Sequence, residues 1–381
     1  MKIKQSLSGF QAKVANRQKF LKKGGSRLDS IEFPMNRLSG NLHPNAMSVR
    51  VKQILEETHD TKTFVFEPNY VQKQIPFFNY QAGQYITIEV PINGYVFQRP
   101  YSISCTPRRR GIQEIQVTIK RVNDGVVSNY FLDQVKVGDP FIIHGPFGEF
   151  VYQPLRDAHH VIAIAGGSGI TTIMAMAEAL ADRIHDYYLT IFYGANTQSD
   201  LIFKNRLDAL SKKDPQIEVV YLLQNEATEG YLTGSVTKEL ILQYRKEETS
   251  YFVCGPDELY ESVNEILKSL DVPNKYIRHD VYLECEKAKT DDTFEIHVLT
   301  SGEEKIIYGR GKETILEALE HSGISAPKHC GVGVCGFCRS KLLEGTVLTN
   351  NKYVAASDKN YKYIHPCAAY PLSDITIRLP K

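Results

Sequence analysis

Cys330-Gly331-Val332-Gly333-Val334-Cys335-Gly336-Phe337-Cys338 places three thiols within nine residues, and Cys367 follows 29 positions after the last of them. The C-x4-C-x2-C spacing is too tight for a set of separate disulfide staples, and the chain's seven cysteines are an odd number. Two irons bridged by two sulfides require four thiolates, and this spacing is one that such a [2Fe–2S] site uses. Gly331, Gly333 and Gly336 let the backbone approach and donate hydrogen bonds to sulfur. A structural zinc site is the competing reading, but zinc knuckles usually present two C-x2-C pairs and here there is one. Thiols kept for metal point to a reducing compartment, so the chain is expected to be cytoplasmic.

Around this loop, Phe294 to Leu299 reads as a strand and Thr314 to Ser322 as a helix. The segment Cys330 to Cys338 closely resembles the cluster loop of plant-type ferredoxins, and the match covers roughly residues 293–381. That resemblance implies a β-grasp α+β domain with Cys330, Cys335, Cys338 and Cys367 as the iron ligands. The polar stretch 285–292 reads as a linker.

Upstream, residues 151–284 follow the rhythm of a doubly wound α/β domain. Val161 to Ala165 is a continuous apolar run, followed by glycines and a helical stretch from about Thr172 to Asp182. Strand candidates at Tyr188 to Tyr193, Ile217 to Leu223 and Tyr251 to Cys254 alternate with helix-like segments, including Asp257 to Leu270. Two turns stand where a parallel strand ends: Gly166-Gly167-Ser168-Gly169-Ile170-Thr171 and Cys254-Gly255-Pro256. The first can turn amides toward a dinucleotide pyrophosphate, although it is not a G-x-G-x-x-G fingerprint and a purely structural turn is an open alternative. Cys254 by itself reads as a small buried hydrophobe.

Residues 47–150 have the grammar of an antiparallel β-barrel. Ile86, Ile88 and Val90 alternate with Thr87 and Glu89, and Ile115, Val117 and Ile119 with Gln116, Thr118 and Lys120, so one face is expected buried and the other wet. Pro91, Asn93-Gly94, Asp124-Gly125 and Gly138-Asp139 are expected to break the strands. Arg99-Pro100-Tyr101-Ser102 is placed between two strands, and Gly125-Val126-Val127-Ser128 where a strand gives way to a helix. A flavin nucleotide needs a flat surface, a cation and free amides at a helix start, which these two segments can supply.

The order Arg-x-Tyr-Ser, Gly-x-x-Ser, then Gly145-Pro146-Phe147-Gly148, with the two nucleotide turns after it, resembles the ferredoxin-NADP reductase superfamily. The resemblance implies that Arg99 binds flavin phosphate, Tyr101 stacks on the isoalloxazine and Ser102 lies near its reactive nitrogen, with Gly125 to Ser128 on the pyrophosphate. It assigns Gly166 to Thr171 to the pyridine nucleotide and Cys254 to Pro256 to the nicotinamide pocket. By resemblance of domain order the flavin is expected to be FAD, and FMN is the alternative because phthalate-type reductases use it. NADH is favoured over NADPH, since Gly194 to Asp200 contains no Lys or Arg to meet a 2'-phosphate and the next cation is Lys204.

A hydride carries two electrons and the cluster accepts one, so a flavin with one-electron states must stand between them. The expected route runs from NADH to flavin to cluster to a separate redox protein. By resemblance to the oxygenase-reductase and hybrid-cluster-protein reductase group, that protein is an oxygenase, desaturase or hybrid-cluster protein. The alternatives are an electron-transfer subunit of the dihydroorotate dehydrogenase type and a redox sensor without turnover. Net charge +1 predicts no attraction to nucleic acid, and no apolar run approaches the ~20 residues of a membrane span. The first 46 residues form a basic extension: nine of the first 45 are Lys or Arg against Asp29 and Glu32, with Ile3, Leu7, Phe10, Val14 and Leu21 at helical spacing. It reads as a packed helix or a mobile arm, with docking to an acidic redox partner or organelle targeting as the functional alternatives.

Overall fold

The computed structural model describes residues 46–69, 79–92, 95–107, 114–123, 125–280, 290, 292–300, 302–324, 326–328, 331, 333, 336–349 and 356–380. The N-terminal extension, Asn93-Gly94, Asp124, most of 285–292, Cys330 and Cys335 lie outside the described residues. Among the described residues, no helix is long and apolar enough to cross a membrane.

The first sheet is antiparallel, built from β1 (Met47–Thr58), β2 (Thr61–Pro68), β3 (Tyr85–Ile92), β4 (Tyr95–Ser102), β5 (Ile115–Lys120) and β6 (Pro140–Phe147) in the order β4-β3-β6-β1-β2-β5. A bridge between Ile103 and Val117, with Ser104 N–H donating to the Gln116 carbonyl at 2.8 Å, joins the two edges into a barrel. Ile86, Ile88, Val90, Ile115, Val117 and Ile119 line its core. Helix α1 (Val126–Asp133) caps that core through Phe131, whose ring lies 5.1 Å from Phe64 and 5.2 Å from Phe141.

Three expectations need correction. Thr87 and Thr118 are buried rather than wet. The outer side of β5 meets the turn at 167–169, and the Thr118 hydroxyl bonds Thr63 at 2.7 Å and Ser104 at 2.9 Å. Pro91 does not break its strand: it lies within β3, opposite Val96, beyond the last residue, Glu89, that pairs with β6. Arg99 to Ser102 are not between strands but are the end of β4, a strand whose outer edge tolerates Pro100 because no ladder bond is lost there.

The second sheet is parallel. Its elements are β7 (His160–Gly166), α2 (Ile170–Ala181), β8 (Tyr188–Ala195), α3 (Lys204–Lys213), β9 (Ile217–Leu223), β10 (Leu232–Thr233), α4 (Lys238–Tyr244), β11 (Thr249–Cys254), α5 (Asp257–Ser269) and β12 (Ile277–His279). The strands lie in the order β10-β9-β8-β7-β11-β12. Apolar clusters cover both faces, one holding Ala163, Ile191 and Met174, the other Ile162, Ile164, Val253 and Leu267. Strand order reverses between β7 and β11, and the crevice beyond their carboxyl ends is where open α/β sheets bind ligands.

The third sheet is built from β13 (Thr293–Leu299), β14 (Glu304–Arg310), β15 (Ser340–Glu344), β17 (Tyr363–Ile364) and β19 (Ile375–Arg378), in the order β14-β13-β19-β15-β17. Between them come α6 (Ile315–His321), α7 (Ala356–Asn360) and a ribbon of β16 (Val347–Thr349) with β18 (Ala369–Pro371). Thr314 caps α6 in a reciprocal box with Glu317. Tyr85 of the barrel joins this third core, with Phe147 packed against it.

Candidate functional site

Four buried side chains from distant parts of the chain converge where the barrel meets the second sheet. Ser102 ends β4, Thr172 lies in the first turn of α2, Cys254 ends β11 and Asp280 follows β12. The Thr172 hydroxyl donates to Asp280 Oδ2 at 2.6 Å and lies 2.5 Å from Ser102 Oγ. Ser102 Oγ and Cys254 Sγ reach the same carboxylate oxygen at 3.5 and 3.6 Å. Burial raises the Asp280 carboxyl from 3.8 to about 6, while hydrogen bonds from Thr172, Cys254 and Ser102 pull it back. Burial, with Asp280 beside it, pushes the Cys254 thiol well up and keeps it neutral. The Tyr260 hydroxyl donates to the Asp280 carbonyl and accepts from Gly255 N–H at 3.3 Å, tying the end of β11 to the end of β12.

The two nucleotide turns are fitted to each other. A methyl on Gly169 would stand 2.1 Å from the Cys254 carbonyl oxygen, and one on Gly166 would stand 2.9 Å from Pro256 Cδ, so only glycine allows this approach. Gly167 has φ +52° and open space around its α-carbon. Ile170 is in the core and the Thr171 hydroxyl donates to the Ser168 carbonyl at 2.9 Å, so these two brace the turn from within. Gly166 to Gly169 are left to present backbone. At the other helix start, Gly125 caps α1 without a side-chain bond. Val127 points into the barrel core, Val126 is exposed, and Ser128 Oγ accepts from Val122 N–H at 3.2 Å. What this turn presents outward is the amides of the helix start.

Tyr101 is half-buried, edge-on to Phe131 at 5.9 Å. Arg99 is partly exposed and reaches Glu317 of α6 at 3.6 Å. Gly331 lies against the same strand: a methyl there would be 3.5 Å from the Gln98 carbonyl oxygen and 3.9 Å from Pro100 Cδ. Of the four cysteines singled out in sequence, Cys338 and Cys367 are described, buried, with sulfurs 3.3 Å apart. Gly333 N–H donates to Cys367 Sγ at 3.2 Å, and φ is +72°, +75° and +73° at Gly331, Gly333 and Gly336. Two converging thiols plus an amide aimed at sulfur suit an iron-sulfur cluster.

Beyond β8, Asp200 closes a reciprocal cap with Thr197, and Gln198 N–H donates to Glu226 at 2.8 Å. Lys204 is turned away, paired with Asp208 at 2.6 Å. A carboxylate therefore stands at the end of β9, a setting suited to ribose hydroxyls and hostile to a 2'-phosphate. Sequence reading missed Glu226, Thr172 and Asp280. Position at the carboxyl end of a parallel strand was the available signal for Glu226 and Asp280. Thr172 carried none.

Comparison with known proteins adds three domain matches: an oxidoreductase FAD-binding domain over residues 48–152, an oxidoreductase NAD-binding domain over 163–265 and a 2Fe-2S iron-sulfur cluster binding domain over 299–372. The chain is 29% identical over 360 residues to the glycine betaine monooxygenase reductase subunit of Chromohalobacter salexigens, covering 87% of this chain and 94% of that one. It is 27% identical over 350 residues to one component of the 1,2-phenylacetyl-CoA epoxidase of Escherichia coli, covering 87% and 96%. Phthalate dioxygenase reductase shares the fold, with a TM-score of 0.68 at 20% identity over 88% of this chain and 98% of that structure.

Proposed function

We propose that this chain, which belongs to the ferredoxin-NADP reductase superfamily and ends in its own [2Fe–2S] ferredoxin domain, is the reductase component of an oxygenase system. It is an oxidoreductase that uses NADH, FAD and a [2Fe–2S] cluster. The oxygenase as acceptor, ahead of a desaturase or hybrid-cluster protein, is supported by the monooxygenase reductase components it resembles. Cytoplasmic residence fits the reduced thiols that ligate such a cluster.

The observation that carries this reading is that one strand borders both redox sites. β4 ends in Ser102 at the buried carboxylate cluster, and its Gln98 to Pro100 segment abuts the cysteine loop at Gly331. FAD, when bound, supplies the conversion between a two-electron hydride and single electrons. In our assignment Arg99 and the amides of Gly125 to Ser128 hold its pyrophosphate, and Tyr101 flanks its ring. Gly166 to Gly169 hold the nicotinamide cofactor's pyrophosphate, and Cys254 to Pro256 line the pocket for its reacting ring. Asp280 fixes the hydroxyl of Ser102 through Thr172 and the thiol of Cys254 directly, and so sets the walls against which donor and acceptor rings are held. Cys330, Cys335, Cys338 and Cys367 hold the cluster.

Anaerobic mixing of the holoprotein with NADH tests the order of events. Flavin absorbance should fall first, cluster absorbance second, and Cys335→Ser should abolish the second phase alone. Failure of NADH to bleach either chromophore refutes the scheme.

A further inference from the structure

The cysteine loop has two sides. Gly331 faces β4, the side from which electrons arrive on the reading above, whereas Cys338 and Cys367 flank β15 and β17 in the chain. Cys338 immediately precedes Arg339 and Ser340, and Ser340 Oγ donates back to the Cys338 carbonyl at 2.9 Å. Tyr363 and Ile364 lead through His365 to Cys367.

On these strands Ser340, Ile364 and Ile377 are buried, so the alternate residues face outward. Pairing sets Lys341 opposite both Tyr363 and Arg378, which makes one row across three strands. The Arg339 guanidinium lies 3.6 Å from the centre of the Tyr363 ring and the Lys341 ammonium 4.8 Å from it. Lys359 and Lys362, both exposed, adjoin the row from α7 and the turn after it, where Leu342 N–H donates to the Lys362 carbonyl. Two acidic residues stand among them: Asp358 is buried and paired with Arg339 at 2.6 Å, and Glu344 is exposed at the end of β15 opposite Thr376, one carboxylate against Lys341, Arg378, Lys359 and Lys362. The row thus keeps an excess of positive charge in water. Aromatic surface accompanies it: Tyr361 is 66% exposed and Phe337, next to Cys338, is 53% exposed.

The charge is also segregated along the sequence. Residues 293–381 carry 11 Lys or Arg against nine Asp or Glu, a net +2, and residues 1–45 carry nine against two, a net +7. The whole chain is +1, so residues 46–292 are net −8. A partner with an acidic face is repelled by the flavin and nucleotide domains and drawn to the ferredoxin sheet.

We propose that the outward face of β15, β17 and β19 is the docking surface for the electron acceptor, and that the acceptor meets it with an acidic surface. This rests on the cluster being the exit for electrons. The cationic row steers the encounter, and the exposed tyrosine and phenylalanine give a short-range contact within one strand of two cluster ligands.

Cytochrome c and its succinylated form, in which carboxylates replace lysine charges, are one-electron acceptors of the same shape and opposite sign. With holoenzyme and NADH, reduction of the succinylated form should slow steeply as salt rises from about 20 to 500 mM, as the Debye length shrinks from roughly 20 to 4 Å. Reduction of the native form should instead speed up. The double variant Lys341→Glu with Arg378→Glu should lower kcat/KM for the succinylated form by at least about tenfold and flatten its salt dependence. Binding of the succinylated protein, measured by calorimetry without NADH, should weaken in parallel. Bleaching of flavin and cluster by NADH should be unchanged in that variant. Unchanged binding and salt dependence in a variant whose cluster is normally reduced overturns the docking proposal. Loss of cluster reduction by NADH in the wild-type protein overturns instead the electron route on which it rests.

Discussion

Replacing Asp280 with Asn should remove a pH dependence of stability whose size follows from the burial of one carboxyl. Asp280 is 6% exposed and its carboxyl is raised from 3.8 to about 6, first by desolvation. A shift of about two units corresponds to roughly 3 kcal/mol between the protonated and ionised forms. Between pH 3.8 and about 6 the folded chain holds a proton that the unfolded chain has already released. Raising the pH through that window therefore favours unfolding, and above it the cost is constant. Roughly 1.4 kcal/mol of the loss falls between pH 5 and pH 8 by the same linkage. Asn cannot ionise, and its amide oxygen still accepts from Thr172. Urea unfolding of both proteins at pH 5 and pH 8 measures the difference, followed by far-UV circular dichroism because the chain has no tryptophan. The difference in stability, Asp280→Asn minus wild type, should become more favourable to the variant by about 1 to 2 kcal/mol on going from pH 5 to pH 8. Identical slopes to within about 0.5 kcal/mol would refute the claim that this carboxyl is ionised against its burial.

Thr172→Val removes the hydroxyl that donates to Asp280 at 2.6 Å, so it should cost about 1 to 3 kcal/mol at pH 8, less at pH 5, and move the carboxyl further up. A pH series of denaturation midpoints checks all three signs. Gly169→Ala forces a methyl to within 2.1 Å of the Cys254 carbonyl oxygen; it should destabilise the second domain by roughly 1 to 3 kcal/mol and raise KM for NADH, read from melting and initial rates. Cys367→Ser takes one thiolate from the cluster and should abolish its visible absorbance and its EPR signal while leaving NADH-driven reduction of ferricyanide by the flavin. Glu226→Arg replaces the carboxylate beside Gln198 by a cation and should narrow the preference for NADH over NADPH, measured as the ratio of their kcat/KM values.

What could be read from the sequence was what acts locally. The Val161 to Ala165 run announced a buried parallel strand because both faces of such a strand are apolar, and it forms the middle of β7. The helix start at Gly125 and the glycines of the cysteine loop were legible because backbone conformation writes itself into single residues, as the three positive φ values in that loop illustrate. Pro91 misled for the complementary reason. Proline breaks a strand only where its missing N–H was needed, and which edge is unpaired depends on sheet order, not on neighbouring residues. Thr118 looked solvent-facing because a period of two reports one sheet, without the turn of the second domain that meets it.

The carboxylate cluster illustrates the limit most sharply. Its contacts join residues 70, 108 and 178 positions apart, and none of Ser102, Thr172 or Asp280 has a sequence context that demands the others. A threonine at the start of a helix is ordinarily a modest helix former, and an aspartate after a short strand is ordinarily a turn residue. Only the docking of the barrel on the second sheet turns the pair into a buried carboxyl with its hydrogen bonds supplied. Such a carboxyl costs stability wherever it is ionised, so its stabilising function cannot be the reason for its presence. Its position explains it better: it is the one buried anion among the described residues that touches the end of β4, the first turn of α2 and the cysteine that ends β11 together. On the site assignment proposed above, a group that holds three elements of two domains in register gives the two rings a fixed separation, and a hydride step is sensitive to that separation at the level of an ångström.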